Sequence, residues 1–154
     1  IEKLAHKSCK NYISLPYSIK GNDVTFSGIL SAAKRLISTS KYTNEDMCYS
    51  IQQTAFAMIT EAVERALSAT EKKELLLVGG VSANKELSSM LNLACQRHKV
   101  KFNSCPITFA EDNGAQIAWT GILSYLKSKN FIDISRSFVN QSWRVDSVDV
   151  LWRT

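Results

Sequence analysis

A chain of 154 residues is long enough for one domain with a real core and too short for two large ones. Apolar residues make up 45%, punctuated by only six Gly and two Pro, which excludes a disordered or fibrous protein. The formal charge of +5 is compatible with an anionic partner such as RNA or a nucleotide. The basic residues are scattered, however, without an arginine-rich block or an RNA-binding aromatic motif, so a solvated surface is the simpler account of them.

Residues 1–8 read as the end of a helix. The first residue is Ile1 rather than an initiating Met, so the expectation is a fragment whose true start lies upstream. Tyr12-Ile13-Ser14-Leu15-Pro16 is a short strand or an extended link stopped by proline. Asn22 to Gly28 alternates polar and apolar residues in its middle and ends on glycine, which predicts a strand. From Ile29 to Ser38, apolar residues at 29, 30, 33, 36 and 37 keep helical spacing. Thr43 opens the longest helix, with Asp46 three residues on forming a variant of the capping box. Met47, Ile51, Ala55, Met58, Ala62 and Ala66 then recur every three to four residues and predict one core-facing stripe. Glu61 and Glu64 lie off that stripe and are expected in solvent.

Glu74 to Val78 is apolar on both faces beyond Glu74, the pattern of a central strand in a parallel or mixed sheet covered by helices. Leu87, Met90, Leu91, Leu93 and Ala94 define a helix ending near His98, and Val100-Lys101-Phe102 starts another short strand. Asp112-Asn113-Gly114 leads into a further helix to about Lys127, and apolar residues at 148, 150 and 152 predict an edge strand. Strand–helix–strand units from residue 74 onward make the fold class α/β, with a single domain over 1–154. The longest apolar runs fall far short of a membrane span, and no basic-then-apolar leader is present.

The four cysteines show no C-x-x-C spacing. His6 with Cys9, and Cys95 with His98, could form two halves of a zinc site, but both pairs sit in helix-like stretches far apart in sequence. Reduced, structural cysteines in a cytosol-like compartment are the reading adopted. The richest stretch is Val78-Gly79-Gly80-Val81-Ser82-Ala83-Asn84, where a strand hands over to a helix. Ligands in α/β sheets bind beyond the carboxyl ends of strands, and glycines let backbone approach them closely. Neither the P-loop nor the dinucleotide spacing is present, so a plain tight turn and a ligand-facing turn stand level. Asn84 is either a helix cap or a ligand contact, and capping alone accounts for it. Asp112 is either an N-cap or one hard oxygen ligand of a divalent metal, which would need further ligands. No H-E-x-x-H pair and no nucleophile elbow occurs.

Four stretches taken together resemble one family: Thr25-Phe26-Ser27-Gly28-Ile29-Leu30, Ser50-Ile51-Gln52-Gln53-Thr54-Ala55-Phe56, Val78 to Asn84, and Asp112-Asn113-Gly114-Ala115-Gln116-Ile117-Ala118. In order and spacing they look like the C-terminal half of the universal tRNA threonylcarbamoyltransferase family. That family comprises bacterial TsaD and the catalytic subunit of the KEOPS complex, formerly called O-sialoglycoprotein endopeptidase or glycoprotease. The ending from Arg144 to Arg153 looks more like the KEOPS branch. The resemblance implies the second lobe of an actin/hexokinase-like fold. It implies that Gly79, Gly80 and Asn84 contact an adenylate, that Glu2 meets its sugar, and that Asp112 completes an iron or zinc site. The remaining metal ligands would be a histidine pair in a first lobe absent here, so the fragment alone is expected to be inactive.

The implied reaction moves threonylcarbamoyl from threonylcarbamoyl-AMP to the tRNA adenosine beside the anticodon. The implied partners are tRNA and other KEOPS subunits, with no membrane, and the implied location is cytoplasmic or nuclear. Apolar surface at the former lobe interface would drive self-association. Rival readings are an ATP-dependent kinase of the same fold superfamily, a glycoprotease, and a non-catalytic scaffold or dimerisation lobe.

Overall fold

The computed structural model describes residues 1–110, 113–144, 147–150 and 152. The chain is a mixed α/β protein that divides into two compact units, Ile1–Glu111 and Asp112–Thr154. Among the described residues, no helix is long and apolar enough to cross a membrane.

The first unit is organised around one long helix. In chain order it contains α1 (Glu2–Ala5), a hairpin of β1 (Ile19–Lys20) and β2 (Asp23–Val24), α2 (Ser27–Ile37) and α3 (Asn44–Thr70). It continues with β3 (Glu74–Leu77), a 3-10 turn (Gly80–Ala83), α4 (Lys85–Arg97), β4 (Lys101–Ser104) and α5 (Ile107–Ala110). Thr43 caps α3 as its sequence predicts, its Oγ1 accepting from the Asp46 N–H at 3.1 Å. The Asp46 carboxylate instead takes the Ser8 hydroxyl.

α3 is buried on two sides rather than along one stripe. Met47 and Met58 pack with Ile13, Leu15, Ile29, Ala32 and Ala33 in one core. Phe56 packs with Leu87 and Leu91 in a second, and Leu67 lies with Cys95 and Val100 in a third. Successive helical residues turn by about 100°, so Phe56 and Met58 face nearly opposite ways and serve different layers. Glu61 is not simply solvated either: it accepts from the Tyr17 hydroxyl at 2.6 Å and pairs with Arg65. Glu64 lies 3.9 Å from His98.

The segment before β1 crosses α3 as an extended strap, with no strand over 12–16. Its polar groups are met by side chains of the helix instead of a neighbouring strand. The Ile13 N–H donates to Ser50 Oγ at 2.8 Å, and Ser50 donates onward to the Asp46 carbonyl at 2.7 Å. Tyr12 and Thr54 hydroxyls meet at 2.9 Å. Residues 46, 50 and 54 recur at the helical repeat, so the strap follows one face of α3.

The strand expected over 22–28 shrinks to Asp23–Val24, because Gly21, with φ +61°, folds the chain into a short antiparallel hairpin and α2 already begins at Ser27. β3 and β4 are parallel, from Glu74 opposite Lys101 to Leu77 opposite Ser104, with α4 as the crossover. Leu75 and Leu77 pack onto α3 and α4. Leu76 and Val78 remain 63% and 60% exposed, so the strand expected to be covered on both faces is covered on one. Among the described residues, a two-stranded sheet with both helices on the same side leaves the other face open.

The second unit contains α6 (Gly114–Ser128) and a 3-10 turn at Ile134–Arg136. Asn113 caps α6, accepting from the Ala115 N–H at 3.0 Å and the Gln116 N–H at 3.2 Å. Asp112, the cap candidate of the sequence, lies outside the described residues, and among those described it is Asn113 Oδ1 that meets these two N–H groups. Val148 and Val150 lie outside any strand, so the predicted edge strand is not formed among the described residues.

Candidate functional site

The glycine pair divides into two roles. Gly79 has φ +93° and ψ 165°, a region essentially closed to residues with a Cβ. It lets the chain leave β3 and enter the 3-10 turn, in which the Ser82 N–H donates to the Gly79 carbonyl at 2.9 Å. Gly80 lines a cleft of about 370 Å³, within the usual range for small-molecule sites.

The cleft opens between α1, α3 and the glycine turn. Ile51, Ala55 and Phe56 of α3 and Val81 of the turn supply its apolar walls. Its polar side chains are Glu2, Gln52 and Asn84. Glu2 sits at the exposed start of α1, its Oε1 3.9 Å from His6 Nε2. Asn84 is 7% exposed and is indeed the N-cap of α4, its Oδ1 accepting from the Glu86 N–H at 3.0 Å and the Leu87 N–H at 3.2 Å. Its Nδ2 donates to Gln52 Oε1 at 3.3 Å. Capping and cleft lining are therefore simultaneous, since the carboxamide has two ends.

Three of the residues singled out from the sequence, Glu2, Gly80 and Asn84, thus meet at one cleft. Gly79 is not part of its lining, and Asp112 lies outside the described residues. Sequence reasoning gave no role to Gln52 or Phe56, although both fall in a stretch that it quoted. The missed signal is a glutamine in mid-helix flanked by core residues, since a buried carboxamide is there to bond something.

The two half zinc sites do not come together. No group of three or more His, Cys, Asp or Glu side chains lies close enough to hold a metal among the described residues. All four cysteines are free, and burial pushes the Cys95 thiol up, as befits an inert core thiol. A second depression of about 530 Å³ lies between the turn, α4 and the end of β4, lined by Ser82, Lys85, Ser88 and Ser104 among others.

A family model described as tRNA N6-adenosine threonylcarbamoyltransferase matches residues 1–119. A protein so named from Methanocella arvoryzae is 47% identical over 152 residues, which is 99% of this chain and 46% of that one. A protein of the same name from Thermococcus kodakarensis is also 47% identical over 152 residues, with the same coverage. A Methanosarcina mazei protein named as a probable bifunctional tRNA threonylcarbamoyladenosine biosynthesis protein is 51% identical over 146 residues, 95% of this chain and 26% of its own length. The chain spans less than half the length of these relatives.

Proposed function

The chain belongs to the TsaD family of tRNA N6-adenosine threonylcarbamoyltransferases, and from that premise we propose that it is the adenylate-holding C-terminal lobe of such an enzyme. The fold would be the second lobe of an actin/hexokinase-like architecture, a single lobe over 1–154. The observation that carries the reading is the meeting of Glu2, Gly80 and Asn84 at one cleft with apolar walls. Ile51, Phe56 and Val81 take the faces of the base, Glu2 accepts from ribose hydroxyls, and the Gly80 backbone comes close because no Cβ intervenes. Gly79 serves by shaping the turn. The bound adenylate presents its threonylcarbamoyl carbonyl to the exocyclic amine of a tRNA adenosine; the new N–C bond forms as the carbamoyl C–O bond to phosphate breaks, the amine gives up one proton, and AMP leaves from the cleft.

In this reading Asp112 would give one carboxylate to an iron or zinc ion, and such an ion would supply Lewis-acid polarisation of a carbonyl. The described residues form no metal centre by themselves, so the other ligands come from elsewhere in the enzyme, and nothing in the mechanism above is routed through the ion. tRNA and KEOPS-type subunits are the proposed partners, in the cytoplasm or nucleus. The open face carrying Leu76 and Val78 favours coverage by another part of the assembly, or self-association of the isolated lobe.

Calorimetry of the full-length protein with AMP tests the seat. Asn84→Ala is expected to weaken binding by about 5-fold or more, the effect of losing a buried donor. Unchanged affinity in both Asn84→Ala and Glu2→Gln would return the cleft to a purely structural role.

A further inference from the structure

Two backbone N–H groups decide which way the Asn84 carboxamide faces. The Glu86 and Leu87 N–H groups converge on one atom, and only the carboxamide oxygen accepts. Oδ1 is thus committed to α4, and Nδ2 faces Gln52 at 3.3 Å. Nδ2 donates only, so the Gln52 atom opposite it must be Oε1. With its oxygen committed in turn, Gln52 directs its amino group elsewhere. That group has no acceptor among the described residues, yet Ser82 Oγ is the one sealed side-chain polar atom without a partner among them. Gln52 Nε2 is therefore open, and the cleft is what Gln52 lines.

The inner wall of the cleft consequently shows N–H groups and no oxygen from either carboxamide. We propose that Gln52 is a specificity-determining residue: with Asn84 it makes a donor-only wall that takes an acceptor edge of the ligand. Resting on the adenylate reading above, that edge is an unprotonated ring nitrogen of adenine. The apolar faces of Ile51, Phe56 and Val81 hold a flat base without reading it, and Glu2 is an acceptor suited to hydroxyls. The carboxamide pair is then what reads the base itself. A donor presented to this wall would leave the open Gln52 amino group facing it unpaired, whereas a ring nitrogen satisfies it directly.

The test uses full-length protein and four ligands: AMP and its 1-deaza, 3-deaza and 7-deaza analogues, each replacing one ring nitrogen by C–H. One analogue is expected to bind about 5-fold or more weaker than AMP, the loss of a single buried hydrogen bond. Gln52→Glu replaces the open donor with an acceptor, and that preference should disappear while overall AMP affinity falls. Asn84→Asp guards against misfolding, because an aspartate caps α4 as well as asparagine does. Its second oxygen cannot donate, so Gln52 turns over to donate to it and presents Oε1 to the cleft. Asn84→Asp should therefore keep the thermal midpoint and lose the preference. If all three analogues bind wild-type protein like AMP, the proposal falls. It falls equally if the preference survives in Gln52→Glu and Asn84→Asp. AMP failing to bind at all overturns the adenylate seat itself, an outcome distinct from binding without preference.

Discussion

Ser50→Ala tests whether the strap over α3 is sealed. Ser50 is fully buried, and its hydroxyl accepts the Ile13 N–H at 2.8 Å. Removing the oxygen leaves the methylene in place, so little cavity forms, and the Asp46 carbonyl keeps its helical N–H partner. The cost is the unsatisfied Ile13 N–H, about 1–3 kcal/mol, with about 2 kcal/mol as the central expectation. For a urea m-value of about 2 kcal/mol/M, that lowers the unfolding midpoint by about 1 M with m unchanged. Tyr12→Phe is the control, because Tyr12 is 53% exposed and Thr54 can turn its hydroxyl to the carbonyl four residues back. Its cost should stay below about 1 kcal/mol. A Ser50→Ala loss under about 0.5 kcal/mol would mean that water reaches Ile13, and the reasoning for the strap would be wrong.

Ser82→Ala removes a sealed hydroxyl that has no partner among the described residues, and should stabilise the protein by about 1 kcal/mol in the same denaturant assay. Destabilisation would show that the hydroxyl has a partner after all. The Ser8 hydroxyl, helped by Thr43 and Asn11 and opposed by burial, holds the Asp46 carboxyl below the ordinary aspartate value. Its stabilising contribution is full above that ordinary value, declines as the pH falls through it, and is gone below the lowered native value. Asp46→Asn should flatten that acid limb of a stability–pH curve, and an unaltered limb would remove the carboxylate from the account. Tyr17, pushed up to about 12 by burial and its bond to Glu61, keeps its proton longer when folded. Its contribution is therefore present below the ordinary tyrosine pKa and lost as the pH rises toward 12, a loss that Tyr17→Phe should abolish.

The α3 start, the β3–α4–β4 unit and the end of α4 near His98 were legible because each rests on local chemistry: a capping threonine, an apolar run and helical spacing. The second buried face of α3 was not. Ser50, Gln52 and Thr54 are buried between Met47 and Phe56, and a hydrophobic count treats those polar residues as surface. They are buried because a strap and a cleft supply their partners, which no local window contains. The hairpin at Gly21 was missed for a related reason, since four paired residues leave too short an alternation to read. At the site, Asn84 reads from the sequence as either a cap or a ligand contact, although a carboxamide offers an acceptor at one end and a donor at the other. The open face at Leu76 and Val78 shows the limit in reverse, where sequence anticipates cover that the described residues do not supply.

The placement of Ser50 and Gln52 in a single turn of α3 bears on how this protein can change over time. Substitutions act on one face or the other, but a one-residue insertion or deletion would rotate everything beyond it by about 100°. One arising between the capping Thr43 and Ser50 would carry Ser50 off the strap and Gln52 out of the cleft together, while exposing Met58. The helix is thus tolerant of altered letters and intolerant of altered length, and homologous chains are expected to align without gaps from Asp46 to Met58.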